Sequence, residues 1–324
     1  MWNDIVLAIQ NGYRTTIDSL KYIIRHPKLM IPTFLIKIVD LAIIVWFFGF
    51  TTLGQNIRND LESFAFWQLL LIGYFMIVSI RLIEGIATMI TLSLVKQNDQ
   101  ENNMSLFKAL IETFKSSLWL AFPVILFWAL VEFIIILIFS GLSMLLNRGN
   151  KGGKKSFAQR TLDRKRKLIQ KMLKMVGLFS YPIIIWEKKT PWLAIKESLN
   201  MFKSRFGVII SGISFIGFLI LLMWIPPVTL LFIAAIFEFM NLAILIGIFI
   251  YMMLMWSLKY LIETLFITKV YLWYRAWEKA CEEAEASGKP TPSLNDIPKP
   301  NLLFGYSDIL LDEQISEAEA PEPM

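Results

Sequence analysis

Eight ionisable side chains are read as charges at membrane depth: Lys37, Asp40, Arg81, Glu84, Glu132, Glu238, Lys259 and Glu263. On insertion scales a charge at the centre of a bilayer costs about 2.5–3.5 kcal/mol, so each needs a partner or a task. Lys37 and Asp40 are three residues apart, as are Arg81 and Glu84, while Lys259 and Glu263 are four apart. Those spacings put both members of a pair on one helix face, where they can neutralise each other. Glu132 has no base within four residues and sits among Trp128, Leu130, Phe133 and Ile136. Such a carboxyl is either protonated or paired across helices, with Arg81 and Lys259 as candidate partners. As chemistry, Asp40 and Glu132 could be the proton- or cation-handling carboxylates of a transporter. As structure, the same residues would tie helices together or snorkel to the interface.

Other chemistries find little in the residue set. The single histidine, His26, lies between Arg25 and Pro27, next to Lys28, and reads as an interfacial residue. Ser140 and Ser143 therefore lack an intramembrane histidine to act as base. The single cysteine, Cys281, rules out an internal disulfide framework and any multi-cysteine metal site. No enzyme activity and no cofactor are expected.

The elements that must position these charges are membrane helices. The chain has 324 residues, 56% hydrophobic and 18% charged, with a mean hydropathy of +0.57. A soluble domain carries about 25% charged residues. Apolar runs of spanning length cover about 29–53, 66–95, 119–146, 168–186, 207–225 (ended by Pro226 and Pro227) and 242–273. Trp46, Trp67, Trp119, Trp186, Trp192, Trp224 and Trp273 fall near their ends, as an interfacial belt requires. Before the first run, Trp2, Ile5, Ile9, Tyr13, Ile17, Leu20 and Ile24 form an apolar stripe with Arg14, Lys21 and Arg25 off it, which predicts a helix lying on the membrane. No signal-peptide h-region precedes the first run, so the N-terminus is expected to be retained.

The pattern recurs. Leu106, Leu110, Phe114 and Leu118 make a second stripe before a span; Trp192, Ile195, Leu199, Phe202 and Phe206 make a third. Phe114-Lys-Ser-Ser parallels Phe202-Lys-Ser-Arg, and Leu82-Ile-Glu84 parallels Leu261-Ile-Glu263. Asp40 and Glu132 follow Pro32 and Pro123 by eight and nine residues. The expected fold is an all-α polytopic bundle of about six transmembrane helices, in three hairpin-like repeats (1–100, 104–189, 190–277) with interfacial amphipathic linkers.

Residues 147–174 hold eleven Lys or Arg against Asp163 alone and are expected as a polybasic loop. The positive-inside rule would place it in the cytoplasm, whereas the six-span order places its first part outside. Counted near the spans, sixteen Lys or Arg lie on the N-terminal side and ten opposite. This favours a cytoplasmic N-terminus in an inner (cytoplasmic) membrane. A rival reading makes 119–146 a re-entrant hairpin, with four true spans. Aromatic interleaving in the basic stretch is limited to Phe157, so anionic lipid headgroups are the expected partner and nucleic acid is not. After residue 277 the composition turns acidic and proline-rich, with eleven Asp or Glu and six Pro in 278–324, which predicts a disordered cytoplasmic tail.

The stretch 181–208, Tyr-Pro-Ile-Ile-Ile-Trp-Glu-Lys-Lys-Thr-Pro-Trp-Leu-Ala-Ile-Lys-Glu-Ser-Leu-Asn-Met-Phe-Lys-Ser-Arg-Phe-Gly-Val, resembles a motif of uncharacterised bacterial integral-membrane proteins. That group is related to the membrane domain of some glycerophosphoryl diester phosphodiesterases. In it a span ends in Pro, followed by an acidic residue, a Pro turn and an Ala-x-x-x-Ser helix along the membrane. The matching positions are Pro182, Glu187, Pro191, Ala194 and Ser198. The resemblance covers about a tenth of the chain and implies an architecture; with no soluble phosphodiesterase domain present, it does not imply that activity. The basic loop and acidic tail depart from the group, which leaves shared partners open. The expected function is a non-enzymatic scaffold, assembly or lipid-organising role, with small-solute or lipid transport as the alternative.

Overall fold

The computed structural model describes residues 2–51, 66–101, 104–147, 157–236, 242–293 and 296–297. The polar loop after the first span, Glu238, residues 148–156 of the basic segment and most of the acidic tail lie outside them. No strand occurs among the described residues.

Helix α1 (Trp2–Arg25) ends at His26, because the residue before a proline is pushed out of the helical region. Pro27–Leu29 makes one 3-10 turn into α2 (Met30–Phe50). Helix α3 is Phe66–Glu101. Ser105 starts α4 (Leu106–Glu112) by accepting the Lys108 N–H on its Oγ. A π-helical segment, Thr113–Ser117, carries the chain into α5 (Leu118–Asn147). Helix α6 is Phe157–Trp186, and Pro191 opens α7 (Pro191–Ser204) at a position where a missing N–H costs nothing. Helices α8 (Phe206–Met223), α9 (Ile225–Ile236) and α10 (Leu242–Ala286) follow. Pro226 and Pro227 fall in the first turn of α9, so they break the run without kinking a helix interior.

Among the described residues, six helical stretches are long and apolar enough to cross a membrane: Pro27–Phe47, Leu70–Asn98, Leu106–Leu146, Gln159–Trp186, Phe206–Ile233 and Ile244–Ala286. The fold is an all-α polytopic bundle. Helix α5 is one continuous helix despite Pro123, which excludes a re-entrant hairpin over 119–146. Residues 157–174, expected as loop, are helical and continuous with the span that follows.

Contacts fix the directions. Tyr22 meets Asn98 and Lys37 meets Glu84, so α3 returns antiparallel to the first span. Lys96 meets Glu112 and Arg81 meets Glu132, which reverses the direction again in α5. Helices α6 and α10 run parallel, joined at Lys174–Glu263 and Glu187–Arg275. The tightly buried core lies toward the end where α1, α4 and α7 gather, here called proximal. It includes Met89, Leu92 and Leu94 of α3, Phe179 and Ile184 of α6, and Phe266 and Tyr271 of α10. Toward the distal end, Ile138, Leu145, Phe232, Phe249 and Trp256 are exposed, as lipid-facing side chains should be.

Helix α1 packs on α8 and α10 through its small polar face. Thr15, Thr16 and Ser19 are buried, while Ile9, Tyr13 and Ile24 of the apolar stripe are exposed. Thr16 and Ser19 return their hydroxyls to the carbonyls of Gly12 and Thr15, so burial leaves those groups satisfied.

Candidate functional site

The charges read from the sequence meet in a belt at mid-length of the spans. Glu132 stands at the middle of α5, about 22 Å from either end at the helical rise of about 1.5 Å per residue. Arg81 donates from Nε to its Oε2 at 2.7 Å and approaches the same oxygen with Nη2 at 2.6 Å. The Nη1 of Arg81 reaches Glu84 Oε2 at 2.8 Å. The other oxygen of Glu84 accepts from Lys37 at 3.0 Å, and Lys37 also holds Asp40 Oδ2 at 2.8 Å. Asp40, Lys37, Glu84, Arg81 and Glu132 thus form one alternating chain across α2, α3 and α5.

A second chain crosses α6 and α10. Lys174 donates to Glu263 Oε2 at 2.7 Å, and Lys259 lies 3.9 Å from Oε1. Tyr260 joins the two. Its hydroxyl donates to the Glu84 carbonyl at 3.0 Å and shares a hydrogen bond with Thr88 at 2.7 Å. Its ring carries Lys37 at 5.4 Å and Lys174 at 4.6 Å from the centroid. Cation–π attraction of this kind strengthens when water is excluded. Four acids (Asp40, Glu84, Glu132, Glu263) are balanced by four bases (Lys37, Arg81, Lys174, Lys259) on five helices.

A cavity of about 30 Å³ opens between Arg81, Glu84, Glu132, Lys174, Tyr181 and Tyr260. At one water per roughly 10–15 Å³ on this measure, it holds about two. Asp40 lines a smaller space of about 10 Å³, mostly apolar, and its Oδ1 is buried without a hydrogen bond among the described residues.

Of the residues singled out in the sequence, Asp40, Arg81, Glu84 and Glu132 come together directly, and Lys259 with Glu263 joins through Tyr260. Sequence reasoning missed Lys174, Tyr181 and Tyr260. The density of Lys and Arg around it makes Lys174 read as part of the basic segment, and only the fold shows that it faces inward, three residues before Gly177, which lies against Trp128 of α5. Nothing in the local sequence marks the tyrosines.

The motif residues build a separate cluster at the proximal end. Pro182 lies inside α6, four residues before its end. Lys188 turns the chain with φ 52°, and Thr190 precedes Pro191 at the start of α7. Glu187 accepts Arg275 on both oxygens at 2.6 Å, the paired geometry that a guanidinium and carboxylate favour. Tyr271 and Lys189 also bind Glu187, and Arg275 reaches Glu197 and Glu278 at 2.5 Å. Burial lowers the pKa of Lys189, but its hydrogen bond and charge attraction to Glu187 raise it by more, so the net direction is up. Ala194 is fully buried, and Ser198 accepts from Ser180, which in turn accepts from the Trp128 indole. The motif is therefore a turn that locks α6, α7 and α10 together.

No group of three or more His, Cys, Asp or Glu side chains among the described residues is arranged to hold a metal. The chain matches no family model, no curated protein and no solved structure.

Proposed function

We propose that this chain is a non-enzymatic integral-membrane protein with a scaffold and lipid-organising role. The observation that carries the reading is the balance of the mid-depth belt. Its four acids and four bases answer one another within the protein, while the exposed cations Arg160, Arg164, Lys165 and Lys167 have no carboxylate partner among the described residues. Internal charge is used for holding helices, and outward charge is left for headgroups. An inner-membrane location with a cytoplasmic N-terminus and tail is part of the proposal, supported by the excess of Lys and Arg on the proximal side. Kinship with the group whose motif 181–208 resembles is part of the proposal.

Energy transfer from the eleven tryptophans to dansyl-labelled lipid tests the role in vesicles containing the full-length protein. Transfer to phosphatidylglycerol should exceed transfer to phosphatidylcholine and converge with it near 1 M salt, where the Debye length falls to about 3 Å. Equal transfer to both lipids at low salt overturns the proposal.

A transport reading is favoured by one observation, the placement of Glu132 and Arg81 on a polar cavity at mid-depth. It requires a proton- or cation-linked flux in the same vesicles that Glu132→Gln abolishes without lowering thermal stability.

A further inference from the structure

Basic side chains recur along α6 at Arg160, Arg164, Lys167, Lys171 and Lys174. Steps of four, three, four and three place all five on one helix face. Their exposure is graded. Arg160, Arg164 and Lys167 are open, whereas Lys171 and Lys174 are partly buried. The inner end of this stripe is Lys174, which lines the belt cavity together with Arg81.

Lys171 is the cation that the belt does not use. The four acids are already matched by four bases, and no carboxylate lies within ion-pair distance of Lys171 among the described residues. Among the described residues its ammonium donates to the Ile213 carbonyl of α8, at 3.4 Å. Glu263, Lys259 and Lys174 are the charged groups acting on it from α10 and α6. On α8 the facing position is Gly217, whose absent side chain leaves space beside the ammonium: a Cβ there would sit 3.8 Å from Nζ. A cation at membrane depth is costly unless compensated, and one long bond to a neutral carbonyl leaves its charge unmatched. Leu168 and Ile169, both exposed, give α6 an apolar flank beside the stripe.

We propose that this stripe is a slot for the phosphate of an anionic phospholipid, drawn from the distal leaflet along α6 as far as Lys171. The phosphate meets the cations in turn while its acyl chains lie against Leu168 and Ile169. Charge complementarity selects the headgroup, and the apolar flank selects a lipid over a free anion. The inference rests on the lipid-organising role and adds to it a defined site with depth.

Native mass spectrometry of the full-length protein, equilibrated with phosphatidylglycerol or phosphatidylcholine, reads the site directly. Wild type should retain phosphatidylglycerol preferentially. Lys171→Gln, which keeps a donor for the Ile213 carbonyl, should cut that preference about fivefold, and Lys171→Arg should restore it. Arg160→Gln with Arg164→Gln should also cut it, since the headgroup enters past them. Loss of preference in the outer double variant but not in Lys171→Gln overturns the slot and leaves lipid attraction at the surface. No effect in either overturns both the slot and the role beneath it. Inorganic phosphate that displaces the lipid better than chloride at equal ionic strength overturns the lipid as occupant in favour of a free anion.

Discussion

Glu84 shares its two oxygens between Lys37 and Arg81, and so turns two pairs that could each have closed on one helix into a tie between helices. Glu187 does the same at the proximal end, where its side chain is only 4% exposed and collects Arg275, Lys189 and Tyr271. Replacing Glu187 with Gln removes the charge from several charge-assisted bonds, each worth about 1.5–3 kcal/mol. The variant should unfold at lower temperature in nanodiscs, and wild-type stability would mean the cluster is only a solvated rim. The change has a pH signature. Lys189 is held above its ordinary value of 10.5, so its contribution is fully present below that pH and is lost as pH rises through the higher folded value. Glu187→Gln should flatten this alkaline loss. Of these residues, the pairs within one helix were legible because spacing fixes them. Glu132 was legible as needing a partner, yet the choice of Arg81 over Lys259 depends on which helices abut, and no local spacing encodes that.

At the scale of elements, composition misled in one place and periodicity in another. The density of Lys and Arg in 147–174 suggests a loop, but Leu, Arg, Lys and Gln are good helix formers, and α6 runs through them from Phe157. The apolar stripe of α1 suggests a helix free on the membrane surface, whereas its small polar face is what the bundle grips. Small residues allow that close approach between helices. A Cβ on Gly12 would lie 2.2 Å from Ser211 Oγ and 2.6 Å from the Gly212 backbone nitrogen. The serine can rotate away, but the backbone cannot. Gly12→Ala should therefore destabilise by about 1–3 kcal/mol and expose α1 to protease. Gly141→Ala on α5 is the control, because nothing lies within 4 Å of its Cβ position and Ala is the better helix former. If both variants behave alike, α1 is not held at this crossing.

At the scale of the molecule, five of the six long apolar helices among the described residues contribute to a narrow polar belt, and that belt holds them together. The number of spans was legible because length and hydropathy alone decide it. The closure of the belt was not, because it joins residues more than a hundred positions apart, such as Glu84 and Tyr260. Its most direct test is a double-mutant cycle of Arg81→Gln, Glu132→Gln and the pair, read as unfolding free energy of the full chain in lipid. The belt predicts that each single change lowers stability and that the two are coupled by about 1–3 kcal/mol, with the double variant less damaged than the sum of the singles. Additive effects, or single variants as stable as wild type, would contradict it.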